Sequence, residues 1–175
     1  MIHHLFLTGE KQVGKTTLLN RLLVRWGLSV AGYRTQPFEI HGQVKGHCLV
    51  SLLPTWPDSE NYVPCVIRLD DRRCVGVLPA FDQNGAAMLE SSRKSGAGLI
   101  LMDELGRVER DALLFAKQVE LCLGGKIPVV GVMQKGSFPL KEAIAAREDT
   151  RVVTVTPENR EALFWELKDL GKALG

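Results

Sequence analysis

Eight consecutive residues restrict this chain more than any others. Gly9-Glu10-Lys11-Gln12-Val13-Gly14-Lys15-Thr16 fill every fixed position of G-x-x-x-x-G-K-[ST]. A loop of this kind curls until successive backbone N–H groups point at one centre, and Gly9 and Gly14 supply the backbone freedom that this needs. The pattern carries weight only between a strand and a helix. Residues 2–8 are read as a strand. The next stretch predicts a helix, with Leu18, Leu19, Leu22, Leu23 and Trp26 on one face and Gly27 as its stop. The start of that helix offers free N–H groups and the positive end of a dipole to an anion.

The implied ligand is a nucleotide polyphosphate, cradled by residues Gly9, Glu10, Lys11, Gln12, Val13 and Gly14 and by the first helical turn at Lys15, Thr16 and Thr17. Lys15 brings a flexible point charge to the β- and γ-phosphates, and the Thr16 hydroxyl is the expected Mg2+ ligand. A second feature points the same way. Residues 99–103 form a short apolar run bounded by glycine, which suits a buried parallel strand, and it ends in Asp103-Glu104. Parallel sheets present ligands at strand C-termini, so Asp103 should face the loop and hold magnesium, usually through water. Glu104 can orient or deprotonate an attacking water. Asp103-Glu104-Leu105-Gly106 also satisfies D-x-x-G, but the chain carries no N/T-K-x-D stretch for reading guanine.

Strand and helix patterns alternate along the rest of the chain, which predicts an α/β fold with a mainly parallel central sheet in three layers and appended β-hairpins. We read residues 1–175 as one domain, with 37–80 as an inserted hairpin and loop region. Strands are expected at 30–35, 44–53, 65–69, 74–78, 127–133 and 151–155, and helices at 82–95, 110–123 and 140–147. Pro54, Pro57 and Pro64 argue for a loop between the second and third of these strands. Thr156 is expected to cap a last helix with Pro157 at its first position and Leu163, Leu167 and Leu170 facing inward. Asp82, Asp111 and Glu120 read as helix-surface charges, and residues 70–73 as a hairpin turn.

Composition narrows the classes further. The 22 basic and 20 acidic residues leave a net charge of +2, too balanced for nucleic acid or an anionic membrane to be the main partner. No apolar run approaches the roughly 18 residues of a membrane span, and no charged leader precedes the first strand. Cys48, Cys65, Cys74 and Cys122 lack C-x-x-C spacing and read as small buried hydrophobes in a reducing cytoplasm. The four histidines show no ligand-like spacing and receive no role, and a protein partner stays unknown.

Phosphoryl transfer needs positive charge on the γ-phosphate beyond Lys15. Arg107, Arg110 and Lys135 follow strand ends and are candidates, as is Gln134 for sensing the γ-phosphate or positioning water. Asn159 and Arg160 are candidates for base or ribose contacts, with helix capping as the competing reading. Trp56 and Tyr62 either stack on a base or cover apolar surface.

With both motifs in hand, the chain resembles the P-loop nucleoside triphosphatase family first known from thermophiles, also called cancer-related nucleoside triphosphatases. The resemblance rests on Phe6-Leu7-Thr8-Gly9, on Gly32-Tyr33-Arg34-Thr35, on Asp103-Glu104-Leu105-Gly106 followed by Glu109, on residues 128–132, and on Thr156-Pro157-Glu158-Asn159-Arg160. It covers residues 1–36 and 97–164 well and 37–96 poorly. It implies a P-loop NTPase fold and slow, magnesium-dependent hydrolysis of ATP, GTP and other nucleoside triphosphates to the diphosphate, with loose base preference. Three features depart from the family. Glu10, Lys11 and Gln12 stand where its loop usually reads proline–proline–glycine, Gln134 stands where many members have histidine, and the middle segment is unmatched. Glu10 adds negative charge near a polyanion, so its side chain is expected to point away. A small-molecule or nucleoside kinase and a nucleotide-dependent partner-binding module are the alternative readings.

Overall fold

The computed structural model describes residues 2–106 and 110–174. Eight strands form one sheet: β1 (His4–Thr8), β2 (Val30–Ile40), β3 (Gln43–Ser51), β4 (Val63–Arg68), β5 (Cys74–Gly76), β6 (Leu99–Leu105), β7 (Val129–Met133) and β8 (Thr150–Thr154). Their order is β5-β4-β3-β2-β6-β7-β1-β8. From β2 through β8 every pairing is parallel, whereas β2 through β5 pair antiparallel as a wing on one side.

The parallel half is built from strands buried on both faces. All five residues of β1 and of β7 are buried. Leu5 and Leu7 point to a cluster with Leu18, Leu19 and Leu22 of α1 (Lys15–Trp26). Phe6, on the other face, meets a cluster containing Met88 of α2 (Ala86–Lys94), Phe115 of α3 (Leu113–Leu123) and Ile144 of α4 (Pro139–Ala145). Leu163 and Leu167 of α5 (Arg160–Leu167) and Leu174 of α6 (Gly171–Leu174) complete the first cluster. Helices thus cover both faces in three layers. Each fully buried side chain of this kind contributes about 1.5–3 kcal/mol. Among the described residues no helix is long and apolar enough to cross a membrane.

Several elements differ from expectation. β2 does not stop at Thr35 but continues to Ile40, so the wing grows out of a core strand instead of beginning at residue 37. Its hairpin with β3 closes through His41 and Gly42, both at positive φ (50° and 74°), the backbone of a tight two-residue turn. Pro64 lies within β4, not in a loop. It is tolerated because the register shifts opposite it, between His47 and Cys48, and because β5 pairs only with Val66, Ile67 and Arg68. Residues 80–85 form a π-helical turn ahead of α2. Asp82 in that turn is not a surface charge: its Oδ1 accepts from the N–H groups of Leu114 (2.6 Å) and Phe115 (3.3 Å), capping α3 from another element.

The last long helix begins at Arg160, three residues after Pro157. Thr156 and Asn159 instead close the preceding turn reciprocally, Thr156 N–H donating to Asn159 Oδ1 (2.8 Å) and Asn159 N–H to Thr156 Oγ1 (3.2 Å). Cys48, Cys65 and Cys122 are buried, but Cys74 is exposed on β5. His4, which sequence reasoning left without a role, is fully buried. Val129 N–H donates to its Nδ1 (3.0 Å), and its Nε2 lies 3.1 Å from Leu123 O as the matching donor. Burial above all holds its pKa down, to about 4.

Candidate active site

The C-terminal ends of β1, β7, β6 and β2 reach one edge of the sheet. β4 returns to the same direction after two antiparallel steps, so its end emerges on that edge too. The edge is where every part of the site meets.

The loop from Gly9 to Gly14 leaves β1 and feeds α1. Gly9 (φ 138°) passes so near the residue that follows β8 that a Cβ would lie 2.4 Å from Val155 O. Gly14 (φ 94°) lies under the Arg160 guanidinium, whose Nη1 would be 2.4 Å from an added Cβ. Side chains at these positions would close the curl. Gln12 also sits at positive φ (62°), where the resembled family usually has glycine. Lys15 Nζ donates to Gly9 O (2.9 Å) and to Glu10 O, so the amine lies inside the curl where phosphate oxygens would otherwise accept. Burial lowers its pKa, opposed by Glu104 and Glu10. The Glu10 carboxylate pairs with Lys135 Nζ, and both residues line a cleft with Lys15 and Glu104 instead of pointing away from it. Both side chains are more than 60% exposed, and a pair of that kind is worth no more than about 1 kcal/mol.

At the end of β6 the sheet contains a bulge. Met102 pairs with Gly131 and Leu105 with Met133, so three residues advance against two. The extra residue falls at Asp103-Glu104, and Glu104 takes φ 73°, a strained value for a side-chain-bearing residue. Asp103 is only 6% exposed, and burial raises its pKa to about 6; Arg34 nearby pulls it down, Glu104 pushes it up, and the Thr35 backbone N–H pulls it down. Gln134, just past β7, directs its Nε2 at Glu104 Oε1 (3.4 Å), packs against Gly106, and donates its backbone N–H to Leu105 O (2.8 Å).

Two clefts open along this edge. One, of about 360 Å3, is lined by Gly9, Glu10, Lys11, Lys15, Glu104, Gln134 and Lys135. The other, of about 490 Å3, is lined by Lys11, Gln12, Lys15, Thr16, Asp103 and Glu104 together with Thr35, Pro37, His47 and Arg68 from the wing. They share Lys11, Lys15 and Glu104, so they are two arms of one trough. Thr16 and Asp103 belong to the same arm. Among the described residues no three His, Cys, Asp or Glu side chains gather as a metal cage. A magnesium ion held by one hydroxyl, one carboxylate, phosphate and water needs no such cage, and the buried Asp103 carboxylate suits a cation partner.

The remaining sequence candidates fall in different places. Asn159 Oδ1 accepts from Thr156 N–H and its Nδ2 donates to Thr154 O (2.9 Å), so its amide is engaged locally, while Arg160 lies over the loop. Thr17 is exposed at the start of α1. Arg110 pairs with Asp111 (3.5 Å) and borders a separate groove with Leu113 and Phe138. Arg107 and Glu109 lie outside the described residues. Trp56 packs against the core and Tyr62 is exposed, in a loop at the end of β3 remote from the trough.

Sequence reasoning missed Lys141 of α4, whose Nζ donates to Thr8 Oγ1 (3.0 Å) and Gln134 O (3.1 Å), fastening the ends of β1 and β7 beneath the loop. It also missed the wing residues of the larger arm. Only the strand-end position of Arg68 could have hinted at them.

Known proteins resemble the chain over nearly its full length. The family model described as NTPase matches residues 4–167. The cancer-related nucleoside-triphosphatase of Homo sapiens is 32% identical over 94% of each chain. Nucleoside-triphosphatase THEP1 of a Thermotoga species is 28% identical, over 93% of this chain and 92% of its own. Among solved structures, the human cancer-related nucleoside triphosphatase superposes with a TM-score of 0.74 at 27% identity, covering 98% of both chains. Aquifex aeolicus THEP1 gives 0.70 at 20% identity, with 94% and 96% covered, a likeness of fold. With the family match spanning the sheet, the loop and the acidic strand end alike, this chain belongs to the NTPase family.

Proposed function

We propose that the chain hydrolyses nucleoside triphosphates to the diphosphate and inorganic phosphate, in the cytoplasm, with magnesium bound. The observation that carries this reading is that Lys15, Thr16, Asp103 and Glu104 line one arm of one trough at the strand ends. The membership of the family and the names of its relatives support it.

In this reading the β- and γ-phosphates lie against the N–H groups of residues 9–16, and Lys15 exchanges its bonds to Gly9 O and Glu10 O for phosphate oxygens. Thr16 Oγ1 and Asp103 are the groups that would hold Mg2+, which when bound neutralises charge on the phosphoryl oxygens. A water oxygen attacks the γ-phosphorus in line. The bond from the γ-phosphorus to the β,γ-bridging oxygen breaks, and its electron pair leaves with the diphosphate. Glu104 accepts the proton of the attacking water, and Gln134, hydrogen-bonded to Glu104, holds that carboxylate and the water in register. Gly9, Gly14 and the backbone of Glu10, Lys11, Gln12 and Val13 border the phosphates without taking part in bond breaking. The Arg160 guanidinium above Gly14 offers a flat surface to any base, in keeping with loose base preference.

The test is a panel of ATP, GTP, CTP and UTP with magnesium, reading phosphate release and product mass together. Diphosphate and inorganic phosphate in equal amounts support hydrolysis. Turnover that requires an added hydroxyl compound, with phosphate attached to it, would replace hydrolysis with a kinase reading.

A further inference from the structure

The catalytic parts named so far leave the γ-phosphate with one lysine, and phosphoryl transfer needs more positive charge than that. Two of the cations near the strand ends are already occupied. Lys135 pairs with Glu10 in the smaller arm, and Arg110 pairs with Asp111 beside another groove. Arg34 offsets the buried Asp103 carboxylate. Lys11 lines both arms from the loop's own exposed turn, but its ammonium is a point charge without the fork of a guanidinium.

Arg68 is different. It is the last residue of β4, and β4 runs in the direction of β2 and β6, so its end lies on the edge that carries the loop. The register explains its direction. Pro37 pairs with His47 and His47 with Val66, so these three share a cross-strand row, and Arg68 is two residues beyond Val66 on the same face of its strand. Pro37, His47 and Arg68 all line the arm that holds Thr16, Asp103 and Glu104. Arg68 forms no ion pair with any described residue.

We propose that Arg68 is an arginine finger supplied in cis by the antiparallel wing, its guanidinium bridging γ-phosphate oxygens as negative charge builds on them. The proposal rests on the hydrolysis reading above. A guanidinium presents a planar fork of donors that matches two phosphoryl oxygens at once, which a lysine cannot do. The wing therefore closes one side of the larger arm.

The experiment compares the parent, Arg68→Ala, Arg68→Lys, Glu104→Gln and the turn variant Arg72→Ala on full-length protein. Arg68→Ala should lower kcat by about a hundredfold or more, with affinity for a non-hydrolysable triphosphate analogue within about threefold of the parent. Arg68→Lys should recover part of the loss, added guanidinium ion should accelerate Arg68→Ala, and Arg72→Ala should match the parent. Capture of nucleoside diphosphate with aluminium fluoride, a mimic of the transferring phosphoryl group, should be lost in Arg68→Ala. Analogue binding by each variant reports that its site is folded, and Arg68→Lys carries the test if the alanine variant does not fold. A kcat within threefold of the parent in both Arg68 variants overturns the proposal, as does a loss confined to KM. If the parent and Arg68→Ala turn over while Glu104→Gln does not, the finger alone fails. If the parent releases no phosphate, the finger falls together with the hydrolysis reading.

Discussion

The two halves of the sheet are built differently. In the parallel half, helices cover both faces, β1 and β7 have no exposed residue, and the loop and acidic strand end hang from rigid supports. In the wing, β5 has three residues, Val75 is half exposed, and the hairpin turns stand in solvent. The difference separates two jobs. Phosphate and metal ligands must be held to within a fraction of an ångström, which suits strands packed on both sides. A group that closes on the γ-phosphate must approach and withdraw, which suits a segment with little burial holding it.

Removing packing should separate the halves most strongly. Phe6→Ala in β1 should cost about 3–5 kcal/mol, whereas Val75→Ala in β5 should stay within about 0.5 kcal/mol. Denaturant unfolding reads both, and equal losses would erase the contrast. Next comes acid. Burial, with help from His3 and Arg147 and against Asp149, holds His4 near pKa 4, compared with 6.5 for the free side chain. Above about pH 6.5 neither state binds the proton. From there down to about pH 4 the unfolded chain takes it and the native chain does not, so stability should fall by about 3 kcal/mol and then level. His4→Asn should lose that slope, and an unchanged pH profile in the variant would remove His4 as its source.

Smaller effects sit at the junctions. Asp82→Ala should cost about 1 kcal/mol by uncapping α3, with no change in nucleotide affinity. Gln12→Gly should stabilise by up to about 1 kcal/mol, because φ 62° burdens glutamine and not glycine. A thermal melt that moves downward would show that the Gln12 side chain holds the loop.

What could be read from the sequence was what neighbouring residues determine. The loop, the helix Lys15–Trp26 with its Gly27 stop, and Asp103-Glu104 after an apolar run are local patterns, and each lies where the pattern implies. The rest depends on partners far along the chain. His4 acquires its role from Leu123 and Val129, and Lys141 from Thr8. Arg68 reaches the trough because His47 of β3 pairs with Val66 of β4, a register that neither strand announces alone. Pro64 misled because proline rules speak of a regular ladder, and this ladder shifts register opposite it. The strain at Glu104 was equally hidden, since glutamate gives no sign of a positive φ.

If residues 9–16 and Asp103-Glu104 work as one hydrolytic site, loss of the base should stop turnover and spare binding. Glu104→Gln tests it most directly, because the amide keeps the size of the side chain and removes its capacity as a base. Nucleotide affinity and phosphate release should be measured on the same preparations of parent and variant. Affinity should stay within about threefold while release falls on the order of 100-fold or more. Phosphate release equal to that of the parent, with nucleotide still bound, would contradict it.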